Sequence, residues 1–200
     1  LGMADLAHLM GLDPKKNATL KYPSLKVRSA ELPLLSPKIG RPIVGISWKS
    51  MNTKNGSDKS LDLREMMSHF SEINAEWINL QYGDVNKELS AVQSDLGVQI
   101  RSIPEVDVFN DLEGLMQLIN ECDFVISGSN STAHFAGALG KPGVILVPFS
   151  KGKLWYWHTQ DGPSPWYPSL QIIHAKSSHD WTGALSQAHQ LIRSRLGSTH

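Results

Sequence analysis

The residues Ser127-Gly128-Ser129-Asn130-Ser131-Thr132 join a strand-like apolar run to a helix-like segment. A turn of this kind presents the unpaired N–H groups of the helix start and the positive end of its dipole, which together hold anions. Glycine lets a phosphate come close to the backbone, and the hydroxyls add donors. The chemistry indicated is recognition of a phosphate-bearing ligand over the top of an α/β sheet. The same residues also satisfy a capped crossover helix, with Asn130 or Ser131 as N-cap.

A second polar segment, Trp48 to Ser60, follows an earlier apolar run and carries three lysines, Lys49, Lys54 and Lys59. A lysine there can neutralise a phosphate as a point charge. Lys59 is the preferred candidate because it directly precedes a helix, with Lys49 and Lys54 behind it. The alternative for each is a solvated loop. Further along, Gln81-Tyr82-Gly83-Asp84 either lines the pocket or turns the chain at Gly83. In Pro104 to Asp111, Phe109 is suited to stack on a base, and Glu105 or Asp111 to accept from a ribose hydroxyl. Asp111 equally suits a helix N-cap. His134 lies one turn into the Ser131 helix, as a crevice-facing or a core residue. Trp157, Trp166 and Tyr167 fall in a long loop whose aromatic faces suit sugars and bases, or pack the loop onto the sheet.

Several chemistries are excluded by what the chain lacks. No histidine pair is spaced for a metal, and no D-x-D carboxylate pair occurs, so no metal cofactor is expected. The G-x-G-x-x-G, P-loop and G-x-S-x-G signatures are absent as well, which argues against dinucleotide oxidoreductases, P-loop NTPases and elbow hydrolases. Lys plus Arg and Asp plus Glu number 19 each, so there is no footprint for nucleic acid. Cys122 is the single cysteine; it excludes an internal disulfide, fits a reducing, cytoplasmic setting and reads as a buried structural thiol. The apolar runs are strand-sized, so no membrane span is expected.

The elements that must position these residues alternate strand and helix from Ile43 onward. Strands are predicted at 43–48, 77–81, 98–101, 124–127, 143–147 and 170–174. Helices are predicted at 61–70, 85–96, 111–121, 131–139 and 181–196, with Gly97 as a C-cap and an apolar face of 112, 115, 116, 119 and 122. The pattern indicates an α/β, Rossmann-like, doubly wound parallel sheet of about six strands in the order 3-2-1-4-5-6. That order makes the first and fourth strands neighbours, so the loops after Ser47 and Ser127 face each other across a crevice. Residues 1–42 contain a short helical stretch, Met3 to Met10, and then closely spaced prolines, which read as an extended linker. Residues 43–200 form the domain.

The segments GISWKS, INLQYGD, PEVDVFNDLEG, CDFVISGSNSTAHFAGALGKPGVILVP and SPWYPSLQII occur in order. Together they resemble the C-terminal half of the GT-B glycosyltransferases found behind tetratricopeptide repeats in bacterial proteins, which are similar to the heptosyltransferase family. The resemblance covers about residues 41–196, with Leu6 to Met10 and Tyr22-Pro23 similar to the tail of an N-terminal half. It implies a metal-independent glycosyltransferase with a nucleotide-diphosphate-sugar donor. The diphosphate is then expected at Lys59, Ser129, Asn130, Ser131, Thr132, Ala133 and His134. The nucleoside is expected at Gln81, Tyr82, Phe109 and Asp111, and the sugar near Ser47, Lys49 and Trp157. The acceptor (glycan, lipid or protein) and the catalytic base are expected from an N-terminal half absent from this chain. The turn reads Ser-Gly-Ser-Asn where many relatives carry an acidic residue. The alternatives are a non-catalytic nucleotide-binding or protein-interaction module, and a GT-B-like sugar-nucleotide epimerase, for which the chain offers no convincing acid/base pair.

Overall fold

The computed structural model describes residues 24–27, 34–35, 40–50, 59–149, 154–157 and 160–196. The Met3 to Met10 helix, Tyr22-Pro23 and Lys54 lie outside the described residues. The strands are β1 (Ile43–Ser47), β2 (Glu76–Asn79), β3 (Ile100–Arg101), β4 (Phe124–Gly128), β5 (Gly143–Val147), β6 (Gly162–Pro163) and β7 (Leu170–His174). The helices are α1 (Leu63–Phe70), α2 (Asn86–Leu96), α3 (Leu112–Glu121), α4 (Ser131–Ala138) and α5 (Thr182–Leu196), with a 3₁₀ turn at Trp155–Trp157.

Every residue of β1, β4 and β5 is buried. Runs such as Gly143-Val-Ile-Leu-Val are apolar on both faces because helices cover both sides, the condition under which strands pair in parallel. The order is β3-β2-β1-β4-β5-β7-β6, all parallel except the antiparallel β6–β7 pair. The expected 3-2-1-4-5-6 order is thus observed with the 170–174 strand in sixth place, and β6 is a two-residue addition outside it. Strand-type alternation could not announce β6, since Gly162-Pro163 carries no apolar pattern.

One side of the sheet packs Met66, Met67, Phe70, Trp77, Leu185 and Ile192 from the α1, β2 and α5 elements into a continuous core. The other packs Leu115, Leu118, Ile119 and Cys122 from α3 and Ala133 and Ala136 from α4. The buried face of α3 is therefore 115, 118, 119 and 122. Leu112, expected on that face, is 49% exposed because it is the first helical residue and sits at the open edge. Cys122 is buried, its Sγ–H donates to the Leu118 carbonyl at 3.3 Å, and burial pushes the thiol up to about 12, as befits a structural residue. Helix α2 ends where expected, at Gly97 in the left-handed region with φ 67°.

The described parts of the leading stretch dock on the α3/α4 side. Leu25 N–H donates to the Ala138 carbonyl at the end of α4. The Leu34 and Leu35 amides both donate to the Glu121 carboxylate, at 2.9 and 2.7 Å, and Leu35 is buried.

Close approach of strands sets one residue type. A Cβ on Gly143 would stand 2.5 Å from the Val125 carbonyl oxygen of the neighbouring strand, which is backbone and cannot swing away. Gly143→Ala should therefore destabilise the protein by roughly 2–3 kcal/mol in urea unfolding. Gly183→Ala, on an α5 face with nothing within 4 Å, should be neutral or stabilise it by up to about 1 kcal/mol.

Candidate functional site

The carboxyl ends of β4, β1, β2 and β3 lie side by side, and a buried line of polar side chains runs along them. Asn130 caps α4: its Oδ1 accepts from the Thr132 N–H at 3.0 Å, with Ser127 Oγ also 3.0 Å away. Its Nδ2 donates across the switch point to Ser47 Oγ at 2.8 Å and to the Lys49 carbonyl at 3.0 Å. Ser47 Oγ donates in turn to Gln81 Oε1 at 3.1 Å, which also accepts from the Trp48 and Lys49 amides at 2.9 and 2.7 Å. The Gln81 amide N–H is held by Asn79 Oδ1 at 2.9 Å, and Asn79 Nδ2 donates to Ser102 Oγ at 3.0 Å. Buried polar groups must be paired, and here the pairing fixes where each loop leaves the sheet.

This assigns duties to several of the expected site residues. Asn130, Ser47 and Gln81 form the crevice floor, with their side chains committed to one another. Lys49 pairs with Glu88, whose other carboxylate oxygen accepts from Trp48 Nε1 at 2.7 Å. Asp111 is the N-cap of α3, accepting from Gly114 N–H at 2.8 Å. Tyr82 and Phe109 lie against each other with ring centroids 5.8 Å apart, and Phe109 is 64% exposed, giving an open aromatic surface beside the crevice. Ala133 is buried, and Ser131 is exposed at the first turn of α4.

Three polar side chains keep unspent hydrogen-bonding capacity, two of them at this end of α4. Lys59 is only 7% exposed, no described residue pairs with its ammonium, and burial lowers its pKa. Its backbone is pressed against the end of β4: a Cβ on Gly128 would lie 3.5 Å from the Lys59 carbonyl, while the adjoining Leu61 N–H bonds the Trp48 carbonyl at 2.9 Å. Thr132 is fully buried with Oγ1 unpartnered. Ser129, 4% exposed, accepts from Trp157 Nε1 at 2.8 Å, and its own O–H has no acceptor among the described residues. Uncompensated buried donors gathered beside a helix start are costly unless something binds there.

His134 is enclosed by aromatic residues. Its ring stacks on Trp157 at 4.9 Å with a 21° tilt. Its Nδ1 is 3.1 Å from the Tyr167 hydroxyl and its Nε2 is 3.4 Å from that of Tyr156. Burial pushes the imidazole down to about 4 and the Tyr156 hydroxyl up to about 12. Trp157 is fully buried, so no ring face is left for a sugar, and it meets the crevice through its N–H on Ser129. Among the expected site residues, His134 and Trp157 are thereby brought together; Tyr167 follows the packing alternative of its sequence reading, and Tyr156 joins it as the second partner. Asn79 and Glu88 were missed by sequence reasoning. Asn79 left a signal, a polar residue interrupting the apolar run from Trp77 to Leu80; Glu88 left none.

Among the described residues, no cluster of three His, Cys, Asp or Glu side chains could hold a metal ion, and no helix is long and apolar enough to cross a membrane.

Known proteins share this arrangement of elements. The E. coli ADP-heptose heptosyltransferase II matches at TM-score 0.53 with 17% identity, over 82% of this chain and 47% of the enzyme. The E. coli heptosyltransferase WaaC with ADP-2-deoxy-2-fluoro heptose matches at TM-score 0.50 with 13% identity, over 79% of this chain and 44% of the enzyme. The chain has a glycosyltransferase-like fold. In sequence it is 32% identical over 187 residues to Protein FlbA of Caulobacter vibrioides, across 90% of the chain. It spans 30% of that protein and under half of each heptosyltransferase. No protein-family model matches it.

Two outcomes follow for the protein alone. Removing the Asn130 side chain strands donors and acceptors on both sides of the crevice, so Asn130→Ala should cost roughly 2–3 kcal/mol by chemical denaturation. His134, neutral when folded, takes up its proton more readily unfolded, so stability should fall as pH drops from about 6.5 towards 4. The wild type should lose up to about 3 kcal/mol in that window that a His134→Gln variant does not. Its ring resonances should not move between pH 8 and about 5.5.

Proposed function

We propose that this chain is the donor-binding unit of a glycosyltransferase, holding a nucleotide-diphosphate sugar with its diphosphate at the start of α4. The observation that carries the reading is that the Ser129 and Thr132 hydroxyls at the start of α4, and the ammonium of Lys59, whose backbone packs against the end of β4, keep unspent hydrogen-bonding capacity. A diphosphate compensates all three at once, together with the free amides of the first helical turn. The glycosyltransferase-like fold, shared with an enzyme described with an ADP-sugar analogue, supports the same class of ligand. The exposed Phe109, backed by the half-buried Tyr82, is suited to stack on the nucleoside base.

On this reading the glycosidic C–O bond of the donor breaks and negative charge builds on the departing diphosphate. The helix amides and Lys59 stabilise that charge without a metal ion. A lysine without a carboxylate partner among the described residues is poised for this, because phosphate oxygens are then free to take that place. The acceptor, a glycan, lipid or protein, and the catalytic base then belong to a second half-domain.

Calorimetry of the full-length protein against nucleoside diphosphates and sugar nucleotides, with EDTA present, tests the reading. At least one should bind, with affinity unchanged by the chelator. Lys59→Met should weaken that binding by roughly 10- to 100-fold while the ligand-free melting temperature holds or rises, since a desolvated charge has been removed. Failure of every nucleotide to bind the wild type sinks the proposal.

A further inference from the structure

We propose that Trp157 is a positioning residue that fixes the Ser129 hydroxyl as a one-way donor towards the bound phosphate; this rests on the donor-site reading above. The indole N–H can only donate, and it donates to Ser129 Oγ at 2.8 Å. The Ser129 proton must therefore point elsewhere, and among the described residues nothing accepts it, although the side chain is 4% exposed. Ser129 lies just before the N-cap Asn130, so this unspent proton belongs to the turn that opens the helix. A serine free to rotate would present lone pairs as readily as its proton. Tied to Trp157 through one lone pair, it turns its proton away from the indole, which suits the acceptor oxygens of a phosphate.

The indole is held in place by more than this one bond. Its ring is fully buried and stacks on His134, which sits between the Tyr156 and Tyr167 hydroxyls. Tyr167 in turn packs against the α4 backbone: a Cβ on Gly137 would run into its ring. A neutral imidazole needs one donor and one acceptor as neighbours, and two tyrosine hydroxyls supply both, so the ring stays uncharged and does not compete with the ligand for an anion. The loop carrying Tyr156 and Trp157 is thus locked to the very helix whose start it serves.

A double-mutant cycle on the full-length protein decides the matter, using the nucleoside diphosphate that binds the wild type best. Trp157→Phe keeps the stacking ring and deletes the N–H, and Ser129→Ala deletes the hydroxyl. Each should weaken binding by roughly tenfold, and the double variant should lose no more than either alone. Ser129→Thr should restore most of the affinity. Losses that multiply, or a Trp157→Phe variant that binds as wild type does, overturn the positioning role while leaving the donor site standing. A wild type that binds no nucleoside diphosphate overturns both. A second measurement needs no variant: the Trp157 indole N–H resonance should shift on adding the nucleotide yet stay protected from exchange, and an unmoved resonance speaks against the role.

Discussion

The buried hydrogen-bond line from Asn130 through Ser47 to Gln81 is the constraint on which the rest of the site depends. Parallel strands end in loops that must turn away from the sheet, and their last polar groups sit too deep for water. In this protein those groups satisfy one another: Asn130 from the β4 exit, Ser47 from β1 and Gln81 from beyond β2. Because each member uses both its donor and its acceptor, the loops have little freedom to drift apart. A crevice whose two walls are tied at the floor can present a helix start and a lysine to the same ligand without first ordering them, which lowers the entropic cost of binding.

The same economy explains which polar residues bind structure and which are left for chemistry. Lys49 is partnered by Glu88 and Asp111 by its own helix. Lys59 and Thr132 are not, and Ser129 spends only its acceptor side, on the Trp157 indole; Ser129 and Thr132 flank Asn130 in the Ser127–Thr132 turn, and the Lys59 backbone packs against the end of β4. A folded protein ordinarily pairs its buried donors. A fully buried, unpartnered Thr132 hydroxyl beside a Ser129 whose proton has no described acceptor is a local departure from that rule, of the sort found where a ligand completes the structure.

Much of the fold was legible because hydrophobic period and length agree in it. Strands such as Ile43–Ser47 and Gly143–Val147 are short, apolar and bounded by Gly or Pro, and the helices between them end at recognisable caps such as Gly97. The turn at Ser127–Thr132 was legible as a helix start capped by Asn130 for the same local reasons. What could not be read were duties set by residues distant in sequence. Lys49 is committed by a glutamate in the next helix, and nothing near Lys49 announces it. Trp157 was suited by composition to stack on a sugar, yet tertiary packing turned its ring inward and left only the N–H at the crevice. Gln81 and Asp111 have side chains fit for a ligand, but nearby amides claim them first. A single sequence shows which groups are capable of bonding, whereas competition between partners is settled only in three dimensions.

The two ends of the sheet carry a further consequence. It closes on one side with β3, two residues long, and on the other with Gly162–Pro163. Proline has no amide proton to offer and glycine no side chain to pack, so the outer strand is a poor template. Among the described residues, neither border presents a long ladder onto which another polypeptide could zip. The sheet is thereby shielded from edge-to-edge self-association, and encounters between copies at high concentration find little backbone to extend.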